Sequence, residues 1–381
     1  MAVTWPRGIR SAGVACGIKP HGALDVGVLV LDRPAPWAAT FTQNGAAAAP
    51  VRWSRRLLGG DLRAIVVNSG NANACTGAAG EAAVERTARA AAAELSCAAR
   101  EVAVASTGPI GVPLPLPKVL RGLPLAARRL GGDLAGFSRA ILTTDTRAKV
   151  ARRAGPGFEV VGVAKGAATL APNMATMLVF VATDASVDRV GLQAALGRAV
   201  RTTFDRIDVD GCESTNDSAF LVASGAGPGA TEEELLGPLE AVCRDLAKQM
   251  VADAEGGSRL VRIRVAGAED EQTCERLARS VARSALWRAA LHGADPNWGR
   301  VVAALGAFDP KLELERVAVA IGAETVFSRG EPCGSLAHAA AALSSHEVVV
   351  SCRVGDGADA AEVLTTDLSP DYVTLNAGGM S

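Results

Sequence analysis

Thr176 stands at the head of an apolar, β-type run (177–183), behind a Pro172-Asn173 turn signal and the small residue Ala175. A threonine hydroxyl titrates far above neutrality and needs a base before it can attack. Cutting the chain in front of Thr176 would supply one, because a freed α-amino group, with an unperturbed pKa of about 8, accepts a proton at neutral pH. The chain has only four histidines, His21, His292, His338 and His346, so a base of that kind suits it. Gly166, Ala167, Ala168 and Ala175 permit close backbone approach, and Lys165 puts a cation ahead of the threonine. Without those neighbours Thr176 would read as one more β-branched strand residue.

A second element is Ala105-Ser-Thr-Gly-Pro-Ile-Gly111. A strand ends at Ala105, and backbone N–H groups of the Thr107-Gly108 turn can point at a developing oxyanion. One such donor is worth about 100–1,000-fold in rate. Alone, Ser-Thr-Gly-Pro is a plain turn. Further polar clusters lie at 68–73, 143–146, 208–217 and 295–300. The acidic 208–217 stretch lacks the glycine and glutamate spacing of a calcium loop, so calcium is not expected. No His-x-Glu or Glu-x-x-His pair seeds a zinc site, and no metal is expected. Neither a Gly-x-Ser-x-Gly elbow nor a Walker-type loop is present. The run Gly225-x-Gly227-x-x-Ala230 follows a strand and imitates a dinucleotide fingerprint. The position where an acidic residue should end the next strand falls in mid-helix, which leaves a glycine-rich turn.

Composition narrows the class. With 49% hydrophobic residues the chain reads as globular, and its one tyrosine, eight phenylalanines and five tryptophans leave packing to small and branched aliphatics. A formal net charge of -1 without a polybasic block argues against nucleic-acid or anionic-membrane partners. The eight cysteines form no Cys-x-x-Cys pair and read as buried free thiols of a reducing compartment. The N-terminus lacks a basic region followed by a long apolar run. No segment approaches the ~18 apolar residues of a membrane span, so a cytoplasmic location is expected.

The elements that must position these residues alternate in type. Strands are expected at 24–31, 63–68, 101–105, 158–164, 177–183, 219–224, 260–265, 316–321 and 347–353. Helices are expected at 80–100, 187–204, 231–255 and 272–291. Thr231 and Glu234 have capping-box spacing, and Gly293 is placed for a left-handed cap. Interleaved strands and long helices imply an α/β layered architecture, with a soft boundary near 265.

Taken in order, a set of blocks resembles one family over essentially the whole chain: glutamate N-acetyltransferase, also called ornithine acetyltransferase. The blocks are Phe41-Thr-Gln-Asn44, Val67-Asn-Ser-Gly-Asn-Ala-Asn-Ala-Cys-Thr-Gly77, Ser106-Thr-Gly108, Thr143-Thr-Asp-Thr146, Lys165-Gly166, Pro172-Asn-Met-Ala-Thr-Met-Leu178, Asp208-Val-Asp-Gly211, Asp253-Ala-Glu-Gly256, Pro296-Asn-Trp-Gly-Arg300 and Leu375-Asn-Ala377. The Met-Ala-Thr-Met-Leu and Pro-Asn-Trp-Gly-Arg blocks are the specific ones.

The resemblance implies a helix–sheet–sheet–helix, N-terminal-nucleophile-like architecture with a smaller C-terminal α+β section whose tail returns to the site. It implies self-cleavage between Ala175 and Thr176, giving an α chain (1–175) and a β chain (176–381). Residues 176–265 would complete the main layered domain. The oxyanion pair falls on Thr107 and Gly108, and the substrate contacts on Thr144, Lys165, Thr176, Glu255, Asn376 and Ser381. Lys165 suits a substrate carboxylate and Glu255 a side-chain ammonium. The implied reaction moves acetyl from N2-acetyl-L-ornithine to L-glutamate by a ping-pong route through acetyl-Thr176, in the cyclic arginine pathway. It needs no cofactor, and members of the family differ in whether acetyl-CoA is also a donor. Two αβ units would form an α2β2 particle.

This chain departs from the family's pattern at Ala168-Thr169 and in its Gly-Gly-Met-Ser end, both beside the implied substrate contacts. The alternatives are an N-terminal-threonine amidase or aminopeptidase, and a relative acting on another N-acyl amino acid. A folded binding protein without activity is the non-enzymatic reading.

Overall fold

The computed structural model describes residues 3–168 and 177–377. They form two compact units, the first running through 205 and over 212–250, the second comprising 206–211 and the chain from 251. The first holds β1 (Ile9–Val14), β2 (Val26–Ala35), β3 (Trp37–Phe41), α1 (Ala49–Arg56), β4 (Leu62–Ser69), α2 (Gly77–Leu95), β5 (Val102–Thr107), α3 (Leu116–Arg128) and α4 (Ala135–Ala140). It continues with β6 (Lys149–Ala154), β7 (Glu159–Lys165), β8 (Leu178–Thr183), α5 (Arg189–Thr202), β9 (Ser218–Ala223) and α6 (Glu232–Val251).

Two sheets carry this unit. One has the order β1-β2-β4-β5, the other β3-β9-β8-β7-β6. Their facing sides share one core, in which Leu29, Leu31, Ile65 and Val67 meet Trp37, Val161, Val163, Phe180 and Phe220. Phe180 stacks on Phe220 at 5.4 Å between ring centroids, and Phe137 of α4 meets Phe180 edge-on at 5.1 Å. Offset and edge-to-face geometries of this kind are the favourable ones for aromatic rings. Apolar residues of α2 and α3, among them Val84, Ala88, Val119 and Leu123, pack on the outer face of the four-stranded sheet.

Helices α5 and α6 cover the other sheet. Each offers a glutamine amide to an edge strand: Gln193 exchanges two hydrogen bonds with the Ala39 backbone of β3, and Gln249 two with Val150 of β6. Side chains thereby satisfy backbone groups that an open sheet edge would leave unpaired. Gly162 of β7 lets α6 approach, since a Cβ there would lie 2.8 Å from both Val242 and Leu246. The layering is helix–sheet–sheet–helix, the N-terminal-nucleophile-like arrangement expected.

The second unit is the smaller α+β section. It contains β10 (Leu260–Ala266), α7 (Glu271–Arg283), α8 (Ala285–His292), α9 (Trp298–Phe308), β11 (Ala318–Ile321), β12 (Glu324–Ser328), β13 (Glu331–Pro332), α10 (Leu336–Leu343), β14 (Glu347–Arg353), β15 (Ala360–Thr365) and α11 (Pro370–Ala377). Its sheet runs β13-β12-β11-β14-β10-β15, with β10 parallel to β14. Trp287, Leu277, Val281, Val301 and Leu305 pack with Val261, Ile263 and Val350 in a core of its own.

Four readings are corrected. The helix placed at 272–291 is two helices, because Ser284 leaves the helical conformation and its Oγ accepts from Trp287 N at 3.3 Å, capping α8. Gly293 has φ -77°, and the left-handed residue is Ala294 at φ 52°. The soft boundary near 265 would cut β10, whereas the units divide ahead of that strand because β10 lies between β14 and β15. Of the cysteines only Cys243, Cys274 and Cys352 are buried, while Cys75, Cys212 and Cys333 are exposed. Among the described residues, no helix is long and apolar enough to cross a membrane.

Candidate active site

Strand β5 carries Thr107 to the rim of the first unit. Its six residues are all buried, as for a strand covered on both faces. The Thr107 carbonyl accepts from Gly70 N (2.8 Å) and Asn71 N (3.0 Å), which holds the strand end against the 68–73 loop. Asn68 fixes that loop from within, accepting from Ser106 Oγ at 2.6 Å and donating to the Asn71 carbonyl at 2.9 Å. Gly108 then turns the chain at φ 139°, and a Cβ on it would sit 2.4 Å from Asn71 N. Only glycine meets both demands.

Lys165, at the end of β7, is 2% exposed, and its Nζ lies 3.3 Å from Thr107 Oγ1. A buried ammonium needs a counter-charge, and Asp145 provides it. Asp145 Oδ1 accepts from Lys149 Nζ at 2.6 Å and from Gly166 N at 2.7 Å, and its Oδ2 lies 4.0 Å from Lys165 Nζ. Burial alone would raise the Asp145 carboxyl. The two lysines and the hydrogen bonds outweigh it and hold the group below the usual carboxylate range. Two buried lysines thus share one carboxylate, a floor that favours an incoming anion.

The facing wall is the 213–217 segment just before β9. Thr42 Oγ1 donates to the Ser214 carbonyl at 2.7 Å, and Asn44 Nδ2 to the Glu213 carbonyl at 3.0 Å. Asn216 Nδ2 reaches the Ala72 and Ser106 carbonyls at 2.7 and 2.8 Å. Between these walls is a cleft of about 200 Å³ lined by Thr107, Gly108, Thr144, Lys165, Ala168 and Asn216, among others. That is below the roughly 300–1,000 Å³ of cofactor- and drug-sized sites, and suits a small metabolite.

Thr107, Gly108, Thr144 and Lys165 therefore come together around one cleft. Ala175, Thr176 and Ser381 lie outside the described residues. Glu255 and Asn376 belong to the second unit. There Gly256 packs so closely on α11 that a Cβ would lie 2.3 Å from Tyr372 N, and Asn376 Nδ2 donates to the Tyr372 carbonyl a turn away at 2.9 Å. Glu255 Oε1 is buried without a hydrogen-bond partner among the described residues. The 208–217 cluster is divided: Asp208 Oδ2 is taken by Arg279 and Arg283 at 3.3 and 2.6 Å, while 213–217 build the cleft wall.

The order of these blocks along the chain is matched elsewhere. The ArgJ family model covers residues 10–380. The chain belongs to the ArgJ family. Among its ArgJ relatives, the arginine biosynthesis bifunctional protein ArgJ of Thermobifida fusca is 46% identical over 99% of both chains. That of Thermus thermophilus is 44% identical, again over 99% of each. A solved ArgJ structure from Bacillus halodurans is 36% identical with a TM-score of 0.50, matching 52% of this chain and 98% of its own.

Lys149 escaped the sequence reading, and Asn216 and Asp217 entered it only as the end of the 208–217 polar cluster. The signal for the last two was a polar run ending abruptly at a fully apolar strand, where a carboxylate and an amide must be buried along with it. Lys149 carried no signal beyond its distance of four residues from Asp145.

Proposed function

We propose that this ArgJ chain cuts itself between Ala175 and Thr176 and then transfers acetyl from N2-acetyl-L-ornithine to L-glutamate. In the cut, Thr176 Oγ attacks the Ala175 carbonyl, the C–N bond gives way to an ester, and water hydrolyses that ester. A carboxylate on Ala175 and a free α-amino group on Thr176 result. In turnover the amino group takes the Oγ proton as Oγ attacks the acetyl carbonyl, then gives it to the departing ornithine amine. Glutamate attacks the acetyl ester, and the same proton path runs in reverse. Acyl transfer between two amines needs no nucleotide or other cofactor.

The observation that carries this reading is the cleft at the Thr107-Gly108 turn. There a glycine-only backbone lies beside a buried lysine, an arrangement suited to an oxyanion and to a substrate carboxylate. Glu255, with its buried unpartnered oxygen, suits the ornithine side-chain ammonium. Thr144, Asn376 and Ser381 are assigned to the remaining substrate contacts. A solved relative whose chain matches about half of this one fits a precursor divided in two. Assembly as α2β2 belongs to the same reading and is checked by sedimentation.

The test is intact-mass spectrometry of purified protein before and after brief exposure to N-acetylornithine. The expected result is two chains divided at 175/176, with one acetyl on the second chain, and an uncut Thr176→Ala protein. A cut Thr176→Ala protein removes the self-cleavage. Acetate release in place of N-acetylglutamate assigns the amidase reaction instead.

A further inference from the structure

Asn216 and Asp217 point in two directions from one place in the chain. Asn216 Nδ2 holds the Ser106 carbonyl at 2.8 Å, one residue before Thr107, and the Ala72 carbonyl at 2.7 Å. Asp217 Oδ1 accepts from Met177 N at 2.8 Å, the amide that follows Thr176. Both side chains are buried, at 4% and 0% exposure. Their backbone is pinned from elsewhere: Thr42 N donates to the Asp217 carbonyl at 3.0 Å, and Ser218 N to the Met177 carbonyl at 3.1 Å. One dipeptide thus joins the strand end that carries the oxyanion donors to the strand start that follows the nucleophile.

We propose that Asn216-Asp217 is a positioning clamp that sets the distance and orientation between Thr176 and the Thr107-Gly108 turn. The inference rests on the reading of Thr176 as the nucleophile. A hydrogen bond to Met177 N anchors the amide that follows the proposed nucleophile in the chain. The Asn216 bonds fix the other half of the geometry at the 106–107 peptide. Both side chains are engaged with backbone groups, so the role assigned to them is to act through those partners.

The chemistry of Asp217 fits a neutral clamp. Burial pushes its carboxyl well up, with the Met177 amide and Lys165 opposing. Its Oδ2 is buried without a hydrogen-bond partner among the described residues, and the Met177 amide is held by Oδ1. An asparagine can supply that same acceptor.

The experiment compares Asp217→Asn, Asp217→Ala and Asn216→Ala with wild type and Thr176→Ala, following cleavage by intact mass, kcat and KM by N-acetylglutamate formation, and the melting temperature. Asp217→Ala and Asn216→Ala are expected to slow cleavage and lower kcat by on the order of 100-fold, the scale of a misplacement of about 1 Å at a reacting group, while KM stays within about threefold. Asp217→Asn is expected to restore both rates to near wild type.

The clamp is overturned if both alanine variants, folded by circular dichroism, cut and turn over at the wild-type rate. It is also overturned if they change only the melting temperature or KM, or if Asp217→Asn is as slow as Asp217→Ala. Wild-type protein that is never cut at 175/176 removes the nucleophile reading and the clamp together. A cut wild type, an uncut Thr176→Ala and unaffected clamp variants remove the clamp alone.

Discussion

Lys165 and Asp145 set the electrostatics of the cleft, and their roles separate by substitution. Lys165→Gln keeps a polar side chain and removes the charge proposed to meet a substrate carboxylate. A charge-assisted hydrogen bond is worth about 1.5–3 kcal/mol, so KM for both amino-acid substrates is expected to rise roughly 10–100-fold, read by initial rates. Asp145→Asn instead removes the carboxylate that two buried lysines face. Removing one partner of a buried pair costs about 3–5 kcal/mol, measurable by urea unfolding. The pH dependence has a definite sign. Asp145 titrates below its usual range in the fold, so its stabilisation is complete above the unfolded value of about 3.9 and is lost as pH falls through the lower folded value. Acid unfolding of Asp145→Asn is therefore expected to have a shallower slope below about pH 4 than wild type. Thr107, Gly108, Thr144 and Lys165, which line one cleft, were reached in the sequence through the order of their blocks and not through any one block alone. Lys149 and Asp217 were not singled out. Their importance comes from burial, and a lone lysine or aspartate gives no sign of burial until strands β7, β8 and β9 are paired around it.

Close contacts between elements decide how well each layer tolerates change. Gly13 of β1 lies under α4, where a Cβ would come within 2.0 Å of the Gly136 carbonyl oxygen. Gly162 meets side-chain methyls and no backbone, with Val242 and Leu246 at 2.8 Å and Val181 at 3.4 Å. Side-chain tips can rotate away and a backbone carbonyl in a packed helix cannot. Gly13→Ala is accordingly expected at or above the upper end of the roughly 1–3 kcal/mol typical of overpacking, and Gly162→Ala near the lower end, by thermal denaturation. All nine strands expected from the sequence are present, because β5, β8 and β9 are buried on both faces and read as unbroken apolar runs. The strands that escaped notice include β3 and β6, the edges of the five-stranded sheet. Lys149-Val-Ala-Arg-Arg-Ala154 does not look like a strand until the Gln249 amide of α6 is seen binding its backbone. The break at Ser284 was equally hidden, since α7 and α8 continue the same apolar pattern across it.

At the scale of the molecule, the proposed cut would divide a sheet and not a pair of domains. In the order β3-β9-β8-β7-β6, the first and the last two strands would belong to one chain and the middle pair to the other. Backbone ladders on both sides of that pair hold it in place. The two chains are therefore expected to co-elute in native size-exclusion chromatography after complete cleavage and to separate only in denaturant. A net charge of -1 gives the molecule little self-repulsion, and turbidity is expected to peak just below neutral pH, followed by light scattering. The same strand order also sets a timetable for synthesis. β3 emerges early, yet its neighbour in the sheet is β9, with Trp37 opposite Val222, so it waits for most of the first unit to leave the ribosome. The sandwich cannot close around the 213–217 wall before then. Scission would accordingly lag translation and register that folding has finished, which makes the ratio of cut to uncut protein a clock for maturation in the cell.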